Sequence, residues 1–252
     1  MRIIALLNQK GGSGKTTTAV NLAATLAESG RKVLLMDFDP AAAASSWFGV
    51  SDSSRGLLEV LTEGKPLADL ARESSVPNLD LIPASLALSG AEKALAAEIG
   101  PETLLKKKVG KLPQDRWDYL LIDCPPSLGL LTLNALSAAH EVLIPVEAHV
   151  ITLTGIVSLM QTIEVVKERL NPSLAVCGIL ACRVDRRTNH SQDVVESLEK
   201  KFGTMMYKTL IRENVRLAEC PSFGKPITHY ASSSPGAEDY RSLAKELLKQ
   251  EK

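Results

Sequence analysis

The stretch Asn8-Gln9-Lys10-Gly11-Gly12-Ser13-Gly14-Lys15-Thr16-Thr17 separates an apolar run, Arg2 to Leu7, from a segment of helical periodicity, Thr18 to Ser29. The run reads as a buried strand, and the glycine-rich segment as a strand-to-helix turn. Glycines let successive backbone N–H groups face one anion, and the following helix N-terminus adds partial positive charge. Gly14-Lys15-Thr16 therefore predicts a loop for the phosphates of a nucleoside triphosphate, with Lys15 on the β- and γ-phosphates and the Thr16 hydroxyl on Mg²⁺. Gly11, Gly12, Ser13 and Thr17 complete the cradle. The motif is deviant: Gln9 stands where the usual pattern has glycine, and a second lysine, Lys10, precedes the paired glycines.

Working outward, Val33 to Met36 is uninterrupted and apolar and ends in Asp37-Phe38-Asp39-Pro40. Trp117 to Ile122, apolar but for Asp118, likewise delivers Asp123 ahead of Cys124-Pro125-Pro126-Ser127. Strands apolar on both faces belong to covered parallel sheets, and carboxylates at their C-terminal ends face the ligand crevice. Asp123 is the expected Mg²⁺-holding acid, directly or through water, while Asp37 serves either Mg²⁺ or the loop that follows it. Leu79 to Pro83, Glu141 to Val146 and Leu174 to Cys182 read as further strands. Thr16 to Glu28, Gly56 to Leu61, Leu86 to Ile99, Leu128 to Leu136, Leu153 to Leu170 and Ala237 to Lys249 read as helices. The alternation predicts an α/β fold with a doubly wound, mostly parallel sheet flanked by helices. A length of 252 residues with 45% hydrophobic content suits one domain spanning 1–252.

Composition narrows the partners. With 29 basic and 29 acidic residues the chain has no net charge, so nucleic acid could be held only by a local patch. The Lys106-Lys107-Lys108 run is either a solvated helix face or such a patch. Cys124, Cys177, Cys182 and Cys220 form no CxxC pair, which predicts reduced thiols, and Cys124 reads as a packed thiol with no base to activate it. His140 and His149 lack metal-ligand companions. No stretch approaches the ~20 apolar residues that span a bilayer, and the chain opens on a strand instead of a signal peptide, so a cytoplasmic protein is expected.

Lys10 to Thr17 resembles the deviant phosphate loop of the ParA/MinD group of ATPases. Nearly the whole chain resembles its ParA/Soj partition branch: Asp37-Phe38-Asp39-Pro40, Asn78 to Ala84, Trp117 to Leu136, Asp185 to Asn189, Asn214 to Leu217 and Cys220 to Ile227 all carry the likeness. The resemblance implies a deviant P-loop NTPase that hydrolyses ATP with Mg²⁺, slowly and under stimulation by a partner. It implies that Lys10 reaches across an ATP-sandwich homodimer, that Asp39 positions the water attacking the γ-phosphate, and that Pro221 lies near the base. Arg187 and Arg216 match arginines that bind DNA nonspecifically. A ParB-like activator protein, a role in chromosome or plasmid partitioning, a nucleoid-associated location and no N-terminal helix-turn-helix domain complete the expectation. Two departures stand out: Ala41-Ala42-Ala43-Ala44 replaces the usual glutamine-containing run, implying altered switch contacts, and Arg212 stands where relatives often have proline. Positioning of another cargo is the main alternative. A MinD-like membrane cycle would need an amphipathic C-terminal tail, and this chain ends in polar Lys249-Gln250-Glu251-Lys252.

Overall fold

The computed structural model describes residues 1–50, 56–148 and 153–251. Among them, β1 (Arg2–Leu6), β2 (Val33–Asp37), β3 (Arg72–Glu73), β4 (Leu79–Ile82), β5 (Tyr119–Asp123), β6 (Glu141–Glu147) and β7 (Ala175–Cys182) form a seven-stranded sheet ordered β3-β4-β2-β5-β1-β6-β7. The two-residue β3 pairs antiparallel with β4, and the other pairings are parallel. Period-2 alternation divides the apolar residues between two cores: Ile3, Ala5 and Leu7 face one, Ile4 and Leu6 the other.

The second of these cores is covered by α1 (Lys15–Glu28), α2 (Ala43–Trp47) and the C-terminal α9 (Val215–Glu219), α10 (Ile227–Tyr230) and α11 (Pro235–Leu248). The first is covered by α3 (Gly56–Glu63), α4 (Ala91–Leu95), α5 (Leu104–Val109), α6 (Leu130–Ala138), α7 (Leu153–Arg169) and α8 (Asn189–Phe202). Helices on both faces of a parallel sheet are the doubly wound arrangement predicted above. Residues 18 to 27 of α1 are all buried, so this helix lies inside the molecule instead of on its rim. Its buried Asn21 accepts from the Ile227 N–H at 2.7 Å and donates to the Thr17 carbonyl at 2.7 Å, pinning α10 to the first turns after the loop. The apolar stripe of α11, Tyr240, Leu243, Ala244 and Leu247, packs against α1 and is at most 1% exposed. Ser234 caps the start of α11 and Pro235 opens it. The face a membrane-seeking tail would present is thus committed to the core.

Gly178 in β7 is required by contact: a Cβ there would lie 2.3 Å from the Tyr207 ring. Where the periodicity predicts one helix over Leu86 to Ile99, the structure has a 3₁₀ turn, Leu86–Gly90, and only then the short α4. Leu88, Ala91 and Leu95 reach the core, whereas Leu86 and Ile99 are 77% and 93% exposed, so nothing holds a longer helix in place. The helix α8 is not among the predicted helices, although its buried residues Val194, Val195, Leu198 and Phe202 recur at helical spacing on an otherwise polar segment.

Candidate nucleotide-binding site

Parallel register assembles the site. β1 pairs with β5 so that Leu6 lies beside Asp123, and β2 pairs with β5 so that Asp37 also lies beside Asp123. The two carboxylates and the start of the 8–17 loop therefore meet at one edge, although they are far apart in sequence. Gly12 and Gly14 adopt φ of 75° and 91°, the left-handed region where glycine avoids a Cβ penalty, and Gly14 is the N-cap of α1. No side chain caps that helix, which leaves its first N–H groups to the loop.

Lys15 is 7% exposed, and its Nζ donates to the Lys10 carbonyl at 3.3 Å. Burial lowers its pKa, against the nearby charges of Asp123 and Asp39, which raise it. Neither oxygen of the fully buried Asp123 has a hydrogen-bond partner, and the Ser13 hydroxyl is likewise buried and unpaired. Burial pushes the Asp123 carboxyl up to about 8, aided by the neighbouring charge of Asp37, while the Thr16 hydroxyl and Lys15 oppose the shift. A bare carboxylate in the interior is costly unless a cation or donors accompany it. Asp123 beside Thr16 thus fits a hard cation that takes few protein ligands and shares the rest with phosphate oxygens and water, the habit of Mg²⁺. No cluster of three or more His, Cys, Asp and Glu residues occurs among the described residues, so an all-protein metal cage has no support there. His140 is exposed, its Nδ1 accepting from the Ile3 N–H at 3.3 Å, and His149 lies outside the described residues.

Asp37 is hydrogen-bonded to the segment that follows β2. Its Oδ2 accepts from both the N–H and the hydroxyl of Ser45 at 2.7 Å, and its Oδ1 accepts from the Asp39 N–H at 3.3 Å. The Ser45 hydroxyl also accepts from the Ala84 N–H at 2.9 Å, so Asp37 ties β2, the loop after it and the end of β4 together. Burial pushes the Asp37 carboxyl up to about 6. Asp39, partly exposed, faces the cleft and accepts from the Ala41 N–H at 2.9 Å. Within the alanine run, Ala42 is forced to φ 52°, a conformation that burdens a residue with a Cβ.

The loop opens into a cleft of about 880 Å³, lined on one side by Gly11, Gly12, Gly14, Lys15, Thr16, Thr17 and Asp39, and on the other by the segments after β7 and before α9. The far wall is formed by Val184, Asn214, Val215, Leu217 and Ala218, and Pro221 lies exposed at the start of a 3₁₀ turn, Cys220–Phe223, that follows α9. Arg212 is committed to its own chain. Its guanidinium bonds both oxygens of Asp239, the Pro235 carbonyl and Glu238, locking the 211–214 segment onto α11. Cys124, Cys182 and Cys220 are buried, Cys177 is partly buried and all are free thiols, with the Cys182 thiol pushed up to about 12 by burial.

The arginines matched to DNA contacts are both on the surface and both paired. Arg187, its side chain 87% exposed at the cleft rim, grips Asp185 through Nε and Nη2 at 2.9 Å each. Arg216, 59% exposed, pairs with Glu219 at 2.9 Å, and the Tyr230 hydroxyl donates to the same carboxylate at 2.8 Å. Lys10 lies in an ion pair with Glu147 at 2.7 Å.

Doubly wound sheet, glycine loop at the first strand-to-helix turn and strand-end acids define a phosphate-binding-loop NTPase of the deviant type. The family model for an AAA domain matches residues 1–176. The Soj sporulation initiation inhibitor of Bacillus subtilis is 46% identical over 248 residues, covering 98% of both chains, and the chromosome partitioning protein ParA of Myxococcus xanthus is 44% identical, covering 99% of this chain and 89% of its own. This chain belongs to the ParA/Soj family of partition ATPases. Among solved structures, the cobyrinic acid a,c-diamide synthase of Mycobacterium smegmatis with bound ADP and magnesium superposes with a TM-score of 0.86 at 34% identity, covering 99% of this chain and 94% of that one. No helix among the described residues is long and apolar enough to cross a membrane.

Proposed function

We propose that the chain is a Mg²⁺-ATP-dependent dimerising ATPase that binds duplex DNA without sequence preference and partitions a chromosome or plasmid with a ParB-like activator. One observation carries the reading: the buried, unpaired Asp123 carboxylate beside Thr16 and Lys15, at the mouth of a glycine loop of the right handedness. That arrangement suits a bound triphosphate with its cation and little else. Gly11 to Thr17 cradle the phosphates, Lys15 neutralises charge on the β- and γ-oxygens, and Thr16 and Asp123 would hold Mg²⁺, which would supply further charge neutralisation there. Asp37 stiffens the loop that carries Asp39, and Asp39 orients the attacking water. Lys10 acts on the partner subunit's nucleotide in the ATP-bound homodimer.

DNA binding rests on Arg187 and Arg216 and follows from dimerisation, which doubles a small number of phosphate contacts. ATP then acts as a population switch, since the γ-phosphate state favours the dimer and its composite surface. Such a protein would work in the cytoplasm over the nucleoid. The test is duplex-DNA binding with ATP, ADP or no nucleotide, with Mg²⁺, at two salt concentrations, beside an Arg187→Ala/Arg216→Ala variant. Binding that needs ATP, ignores sequence and disappears in the variant supports the proposal. Binding absent in every state refutes the DNA assignment and leaves an ATPase acting on protein partners.

A further inference from the structure

The lysine that gives the loop its deviant character is held. Its backbone is pinned twice: Asn8 Oδ1 accepts from the Lys10 N–H at 3.0 Å while Asn8 Nδ2 donates to the Pro145 carbonyl at 2.6 Å, and Lys15 Nζ donates to the Lys10 carbonyl. The side chain bends back to β6, where Nζ meets Glu147 Oε2 at 2.7 Å. Glu147 Oε1 accepts from Arg183 Nη1, also at 2.7 Å. Arg183 sits at φ 55°, a left-handed backbone that turns the chain at the end of β7, and lines the nucleotide cleft. One carboxylate therefore carries two cations, one from each side of the loop.

We infer that Glu147 is a positioning residue that retains Lys10 in cis in the ATP-free chain and releases it on dimerisation. The inference rests on the proposed action of Lys10 across the dimer. Release needs no loop movement, because the Lys10 N–H is held by Asn8, itself anchored to the Pro145 carbonyl, and only the side-chain rotamer changes. The Glu147 side chain is 11% exposed, and a carboxylate so buried is costly to leave without a cation. Arg183 remains on Oε1 when Lys10 departs, so the carboxylate keeps a counter-charge in both states. The Lys10 side chain is 36% exposed, which limits the strength of the pair that must be broken. A retained lysine raises the ATP concentration needed to form dimers and keeps the resting chain monomeric.

The experiment measures dimer fraction by light scattering against the concentration of a non-hydrolysable ATP analogue, for wild type, Glu147→Gln, Glu147→Asp and Lys10→Ala. Binding of a fluorescent ATP analogue is measured separately at protein concentrations too low for dimers. Glu147→Gln removes the charge and keeps the shape, so half-dimerisation moves to an analogue concentration about two- to fivefold lower, the range of a partly exposed pair. Monomer affinity for the analogue is unchanged, and Glu147→Asp, which keeps the charge, returns the midpoint toward wild type. A purely structural role for Glu147 would shift monomer affinity or lower the dimer yield of both variants, and either result overturns the inference. If Lys10→Ala fails to dimerise while Glu147→Gln matches wild type, the retention idea falls alone. If Lys10→Ala dimerises like wild type, the trans role falls and retention falls with it.

Discussion

The two ends of the nucleotide cleft are built on opposite electrostatic plans. At the phosphate end the charges are buried and incompletely answered: Lys15 is desolvated, and both Asp123 oxygens and the Ser13 hydroxyl have no partner. At the rim, and on the adjoining surface of α9, each of Arg187, Arg212 and Arg216 is matched to a carboxylate of its own chain. The difference teaches what each end is for. Groups left unsatisfied in the interior define a site completed by its ligand, whereas exposed paired arginines must exchange a carboxylate for a phosphate, a weak and salt-sensitive transaction. Under the proposed function, tight nucleotide binding and loose DNA binding are what that contrast would produce.

The contrast is open to breakage at several points, the most severe first. Lys15→Ala should lower ATP turnover by a factor on the order of 100 or more, as removal of a charge-stabilising donor from a dry site does; turnover within a few fold of wild type would remove the phosphate end from the mechanism. Asp123 gives the next largest effect through pH. Its folded pKa of about 8 lies above the usual carboxylate value, so its contribution to stability is full below about pH 4 and is lost as pH rises toward 8. Thermal unfolding without nucleotide or metal should therefore show wild type losing up to a few kcal/mol relative to Asp123→Asn over that window. Adding ATP with Mg²⁺ should stabilise wild type and not the variant, which ought also to be inactive.

Arg212→Ala should destabilise the fold by about 1–3 kcal/mol in denaturant titration, because it strands the nearly buried Asp239 and frees the 211–214 segment. Arg187→Ala and Arg216→Ala should change stability by less than about 1 kcal/mol each, since their pairs are exposed. Each should nonetheless reduce the salt dependence of DNA binding, by about one unit of slope for every phosphate no longer neutralised. A large stability change at Arg187 would blur the division between the two ends. The smallest effect belongs to the alanine run. Ala42→Gly should raise stability by about 0.5 kcal/mol, the relief of a left-handed Cβ less the added freedom of the unfolded glycine.

Much of this molecule is legible in its sequence. The phosphate loop, both strand-end acids, the six strands other than the short β3 to within two residues at either end, and helices α1, α3, α6, α7 and α11 follow from local periodicity. For β6 the apolar run stops one residue short, at Val146, and the residue beyond it is Glu147. Periodicity overextends the Leu86 to Ile99 helix, because apolar content does not say which residues the sheet can cover. Helix α8 is open to the same reading, since Val194, Val195, Leu198 and Phe202 keep helical spacing and only the polar remainder of the segment dilutes them.

The sequence by itself determined the chemistry of the loop and the class of the sheet, since glycine freedom, strand period and strand-end carboxylates are properties of a few adjacent residues. Tertiary structure alone decided which charges meet. Strand order set Asp37 and Asp123 side by side. It brought Glu147 to Lys10 across 137 positions and Asn21 to Ile227 across 206. Pairings of that kind depend on the register of distant strands and on burial, and neither is encoded within the reach of any local pattern.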